Sequence, residues 1–200
     1  MGKNTRSTTA KERMLKKIRH SLLQRRENPY PHFEDSPLFH EIEEALPVHF
    51  VEQFTEQGGQ FLYCDSELQL MESLLSLIDE KDLKQILVVE PAVREILDRY
   101  EFPYLRHVED LAAVDLGIST CEALVARDGS IIWSDRGEAL YQLPALAPNH
   151  LIFAGVGQII PDLKEALAYL QKKYTNGLPS VLRNLKGAGA QKRYVFLLDY

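Results

Sequence analysis

From Gly58-Gly59 onward the chain alternates between two kinds of segment. Gln60-Phe61-Leu62-Tyr63-Cys64 has strand composition, Leu68 to Ile78 spaces its apolar residues for a helix, and Gln85-Ile86-Leu87-Val88-Val89 is a short apolar run. Pro91 suits the first turn of another helix, Ala92 to Tyr100, and a weaker strand is expected near Tyr104 to Val108. Strands separated by helices pair in parallel, and right-handed crossovers place helices on both faces of the sheet. The expected fold class is α/β, a mostly parallel sheet flanked by helices.

Helices then give way to strands. Ala123 to Ala126 and Ile131 to Ser134 are separated by a short turn containing Asp128-Gly129, a hairpin signal because that pair tolerates positive φ. His150 to Ala154 reads as a buried strand. Gly155-Val156-Gly157 follows it, then a helix from Pro161 to Lys173 with Leu163, Ala166, Leu167 and Leu170 on its inner face, and a last strand at Arg193 to Leu198. No internal repeat or low-complexity tract interrupts this order.

Upstream of the alternation, Leu38 to Gln57 is expected to be helical around an interruption at Pro47. The segment Asn28 to Pro37 carries three prolines and serves as a linker. Residues 1–37 are accordingly read as a basic amphipathic helix with its linker, and residues 38–200 as the α/β domain. Thr9-Ala10-Lys11-Glu12 fits a helix-starting capping box, and Met14, Leu15, Ile18 and Leu22 follow at helical spacing. Residues 1–26 hold nine of the 23 Lys and Arg and one of the 29 Asp and Glu, so this arm carries +8 and the rest of the chain −14. Docking of the arm's apolar stripe, on its own acidic body or on a partner, is favoured over nucleic-acid binding, because no aromatic platform accompanies the basic residues.

No apolar run reaches the roughly 20 residues of a membrane helix, and the chain is read as cytoplasmic, without membrane insertion. The two cysteines, Cys64 and Cys121, are too few for an iron–sulfur cluster or a thiolate zinc site and are read as buried thiols. None of the six histidines pairs with a His or Cys at metal-ligand spacing, so no metal ligand is assigned.

Gly155-x-Gly157 fails as a dinucleotide fingerprint, since Ile160 occupies the third glycine position and no ribose-binding acid follows. What remains is a glycine turn at a helix start, able to hold an anion through free amides, although a tight strand-to-helix connection is the plainer reading. His150 opens its strand, where its side chain could face a cleft at the sheet edge, although a surface or supporting role is the plainer reading. Ser119, Thr120 and Ser130 are hydroxyls with no evident base, and nothing demands catalysis by this chain alone. Arg127-Asp128-Gly129-Ser130 reads physically as a structural hairpin turn.

The segments Leu116 to Ala123, the Asp128-Gly129-Ser130-Ile131-Ile132-Trp133 hairpin, Leu143 to Leu151 and Gln158 to Leu163 together resemble the core of the LUD domain. That domain defines the lactate utilization protein C family, and the resemblance covers residues 110 to 200 well and 60 to 110 weakly. Where the family has an acid-Thr-Gly-Thr turn, this chain has Arg127, Asp128, Gly129 and Ser130, and only the glycine is kept. The family's Gly-Pro-Ser-x-Thr-Ala-Asp segment before the last strand is reduced to Gly187-Ala188-Gly189-Ala190-Gln191.

The resemblance implies a NagB/RpiA/CoA transferase-like fold and an accessory or scaffold role in oxidation of L-lactate to pyruvate. It implies partner subunits carrying the iron–sulfur clusters, with no cofactor on this chain and the basic arm as a docking element. It also suggests a small-anion pocket near Asp128, Gly129, Ser130, His150, Gly155 and Gly157. The alternative is a stand-alone enzyme or binding protein for a small carboxylate, a phosphosugar or an acyl-coenzyme A.

Overall fold

The computed structural model describes residues 10–23, 42–88, 90–135, 147–187 and 191–199. It divides into two units, Met1–Glu41 and Ile42–Tyr200. The first contains α1 (Ala10–Leu23), with Glu12 in its first turn and His20 in its last, both suited to the helix dipole. The expected cap at Thr9 and the proline-rich linker lie outside the described residues.

The second unit opens with α2 (Leu46–Glu56), which has Pro47 in its first turn. Pro47 therefore starts this helix instead of interrupting a longer one: a proline's fixed φ suits a first turn and its missing N–H costs nothing there. Next come β1 (Gln60–Cys64), α3 (Glu67–Lys81), β2 (Ile86–Val88) and α4 (Pro91–Arg99). The Ser66 hydroxyl accepts from the Gln69 amide at 3.3 Å to start α3, and Asp82 ends it in a left-handed conformation.

The next strand of the alternation is β3 (Leu116–Thr120), not the expected Tyr104 to Val108. Within the latter only Leu105 pairs, its amide donating to Ile86 and its carbonyl accepting from Val88 along the outer edge of β2. The exposed, polar Arg106 and His107 could not enter a sheet buried on both faces, whereas Leu116-Gly117-Ile118 can.

The hairpin follows as β4 (Ala123–Val125) and β5 (Ser130–Ser134), and then β6 (Asn149–Gly155) and the two-residue β7 (Ile159–Ile160). The chain ends with α5 (Leu163–Lys173), β8 (Leu182–Leu185) and β9 (Lys192–Leu198). Asp162 caps α5, its carboxylate accepting from Glu165 N at 2.9 Å. Gly155-Val156-Gly157 thus leads into a single 3₁₀ turn and β7 and does not connect directly to the α-helix, which starts only at Leu163.

Five parallel strands form the central sheet in the order β1-β9-β6-β3-β2, and β7-β4-β5-β8 form a smaller mixed sheet. Along β6, Leu151 and Phe153 face one way and Ile152 and Ala154 the other; along β9, Tyr194, Phe196 and Leu198 oppose Val195 and Leu197. The first set packs with Leu70, Leu74 and Leu77 of α3 and Val93 and Leu97 of α4. The second meets Phe50 and Phe54 of α2 together with Leu124, Ile131, Trp133 and Leu185 of the smaller sheet. Helices on both faces were expected; on this face the smaller sheet shares the cover with α2, because the hairpin presents its own apolar side. Beyond it, Ala123, Val125 and Ile132 pack on Ala166 and Leu170 of α5.

One joint fastens the smaller sheet to α2. Gly129 has φ +60°, and a Cβ placed there would lie 2.5 Å from the Gln53 carbonyl carbon. Gly187 stands equally close, its Cβ falling 2.6 Å from Phe54 O. Gln57 Nε2 donates to the Asp128 carbonyl at 2.5 Å and to Gln53 O at 3.0 Å, closing the joint. Gly129→Ala therefore meets both backbone strain and a backbone clash, and is expected to cost about 2 kcal/mol or more, read as a lowered urea midpoint.

Candidate functional site

In a parallel sheet the strand ends leave room for a ligand where the chain splays into connecting helices. Here a cleft of about 340 Å³ lies at the carboxyl ends of β3 and β6, beneath the first turns of α3 and α4. Its polar lining comes from Glu67, Glu95, Arg99, Thr120 and Gln158, and Leu70, Ile96 and Phe153 are among its apolar walls. Gln158 fixes the floor, accepting from Gly155 N at 2.8 Å and donating to Cys121 O at 2.6 Å.

Beside the cleft, Glu90 precedes α4 and turns its carboxylate to Thr120, accepting from the amide at 3.0 Å and from the hydroxyl. Burial pushes the Glu90 carboxyl above its ordinary range, outweighing the hydrogen bonds from Thr120. Glu67 occupies the first turn of α3 and pairs with Arg99 at 2.6 Å. The cleft's favourable places for a negative charge, two helix starts and a strand-end amide, thus lie beside the chain's own carboxylates.

Behind Cys121, Glu122 anchors a second polar cluster. It accepts from Ser134 Oγ at 2.5 Å, Tyr174 OH at 2.6 Å and Lys173 Nζ at 2.8 Å. Burial pushes this carboxyl upward, but Lys173 and the two hydroxyls outweigh it and hold it below the usual carboxylate range. The cluster ties β4 and β5 to the end of α5.

The hydroxyls without an evident base all have partners. Ser119 Oγ lies 2.8 Å from His150 Nε2, Thr120 meets Glu90, and Ser130 Oγ donates to Asp128 Oδ1 at 2.6 Å. His150 is fully buried and faces neither the surface nor a cleft at the sheet edge. Burial, reinforced by Arg193 on the neighbouring strand, pushes its imidazole down to about 3, so it is neutral at physiological pH. The Ser119–His150 pair consequently lies in the protein interior.

The six residues expected to form an anion pocket fall in three places. Asp128, Gly129 and Ser130 sit together at the joint with α2, with Lys186 paired to Asp128. Burial raises the Asp128 carboxyl, but Lys186 and Ser130 bring it below its ordinary value. His150 stands at the opposite end of β6 from Gly155, about 16 Å away at strand spacing. Only Gly155 lines the cleft; Gly157 faces open space. Sequence reading missed Glu90, Glu122, Arg99 and Gln158, although an acid directly after each of two buried strand runs was a usable signal.

The cysteines do not fit a cluster. Cys64 ends β1 and Cys121 follows β3, with β9 and β6 between those strands, about 14 Å at the usual spacing. Burial raises both thiols, and the Cys121 thiol lies beside Glu90 and Glu122, so neither is poised to become a thiolate ligand.

An open parallel sheet flanked by helices, with a cleft at its strand ends, defines an α/β protein. The LUD domain family model matches residues 48–194, and the chain belongs to that family. It is similar in fold to the crystal structure of a DUF162 family protein from Deinococcus radiodurans, at 14% identity and a TM-score of 0.63, over 78% of this chain and 96% of that one. Comparison with curated proteins gives no match. Among the described residues no helix is long and apolar enough to cross a membrane.

Two measurements check this electrostatic picture. A depressed carboxyl stabilises the fold above its unfolded pKa, and that contribution is lost as pH falls through the folded value. Glu122→Gln should cost about 2 kcal/mol at neutral pH and flatten the loss of stability below about pH 4.3. His150 acts in the same direction at higher pH: the unfolded chain binds a proton near 6.5 that the folded one refuses until about 3, so stability declines across that window as pH falls. The His150 imidazole resonances should not titrate between about pH 5 and 8.

Proposed function

We propose that this chain is an accessory subunit of a cytoplasmic system that oxidises L-lactate to pyruvate, its partner subunits carrying the iron–sulfur clusters. Family membership motivates the lactate context. The observation that favours an accessory role over lactate oxidation by this chain is the cleft's charge. Glu67 and Glu95 line it, Glu90 stands beside it on Thr120, and Arg99 is already paired with Glu67. A lactate carboxylate entering there would meet like charges at the positions where helix starts and amides would otherwise receive it.

The two buried, separated cysteines support placing the clusters elsewhere, since a cluster takes four thiolates. On this reading the +8 arm of residues 1–26 docks the chain on a partner. Tagged full-length protein recovered from lactate-grown cells should bring down iron–sulfur oxidoreductase subunits, and deletion of residues 1–26 should abolish their recovery. Recovery of the chain alone would count against the accessory role.

The size of the cleft favours a second reading, a binding protein for a small carboxylate, a phosphosugar or an acyl-coenzyme A. It requires stabilisation of the isolated chain by such a compound, about 3 kcal/mol at a hundredfold excess over Kd.

A further inference from the structure

Three ionisable side chains converge at the start of α2. Glu44 lies just before the Ala45 cap, and His49 and Glu52 follow three residues apart on one face of the helix. One ligand atom from each lies within 4.8 Å of the others. Glu44 and Glu52 are exposed, His49 is half-buried, and no protein cation neutralises the two carboxylates among the described residues. Two carboxylates held this close repel one another, and a cation bound between them and the imidazole would relieve that repulsion.

We propose that Glu44, His49 and Glu52 form a binding site for a divalent transition metal of zinc type. Zinc takes imidazole nitrogen and carboxylate oxygen at about 2.0–2.2 Å, which places tetrahedral ligand atoms about 3.4 Å apart. The two exposed glutamate side chains would turn toward His49 to reach that spacing. Imidazole selects for zinc-type ions over magnesium and calcium, which prefer an all-oxygen set. Three protein ligands leave the fourth position to water or to a donor from another molecule. The ion would clamp the chain entering α2 to the first turns of the helix whose far end holds the joint at Gly129. His49 has no His or Cys partner at ligand spacing, so the set is assembled only when Pro47 starts the helix between Glu44 and His49.

The test is calorimetric titration of chelator-treated full-length protein with zinc chloride, with cobalt(II) absorption as a second readout. One saturable equivalent is expected, with visible bands of a four-coordinate cobalt site. Affinity should fall on the order of tenfold or more in both His49→Ala and Glu52→Gln and stay unchanged in His107→Ala. The substituted side chains lie at the surface or half-buried, so unchanged circular dichroism should accompany the loss. Absence of zinc uptake by the wild-type protein, or uptake that survives His49→Ala undiminished, would overturn the proposal.

Discussion

Ile152, Ala154, Val195 and Leu197 point away from α3 and α4, and this second apolar face of the central sheet must be covered if β6 and β9 are to lie in its interior. The order of the remaining elements follows from that need. The chain leaves β3, turns at Cys121 and lays the hairpin and β8 across part of the face, while α2 covers the rest with Phe50 and Phe54. Each element needs the other, because neither spans the sheet alone. Their contact is therefore a close one, backbone against backbone, and only glycine at 129 and 187 permits it. The glycine of the Arg127 to Ser130 turn thus serves the packing of the hairpin on α2.

Local chemistry made most of the central architecture legible. Runs such as Ile86-Leu87-Val88 and Ile152-Phe153-Ala154 have no polar alternation, and that is the mark of a strand buried on both sides. Pro47 and Pro91 announced two helices, but Pro47 was misread because proline at a first turn and proline at a break look alike until the preceding residues are placed. Leu182 to Leu185 was not recognisable as β8: its Arg183 and Asn184 give it edge character, and its pairing with β5 spans some 50 residues of chain. The two-residue β7 is too short for any periodic signal.

The site was harder to read than the fold for a related reason. Glu90 and Glu122 each follow a strand that buries its side chains, and their surroundings are supplied by Thr120 in one case and by Ser134, Lys173 and Tyr174 in the other. Such long-range partners leave no spacing rule in the sequence. His150 was conspicuous as a histidine at a strand start, yet its register opposite Gly117 and Arg193 puts it in the interior. Asp128 and Ser130 satisfy each other and Lys186, so hydroxyls and carboxylates that suggest chemistry in one dimension serve cohesion in three.

An accessory role in lactate oxidation joins the acidic cleft, the two separated thiols and the basic arm in one account. The most direct test is lactate-dependent reduction of an artificial electron acceptor by extract of lactate-grown cells lacking this chain, before and after adding the purified protein. The account predicts that activity is lost without the chain and restored by it, while the purified chain alone reduces no acceptor. Full activity in the extract without the chain, or lactate-dependent reduction by the chain alone, would contradict it.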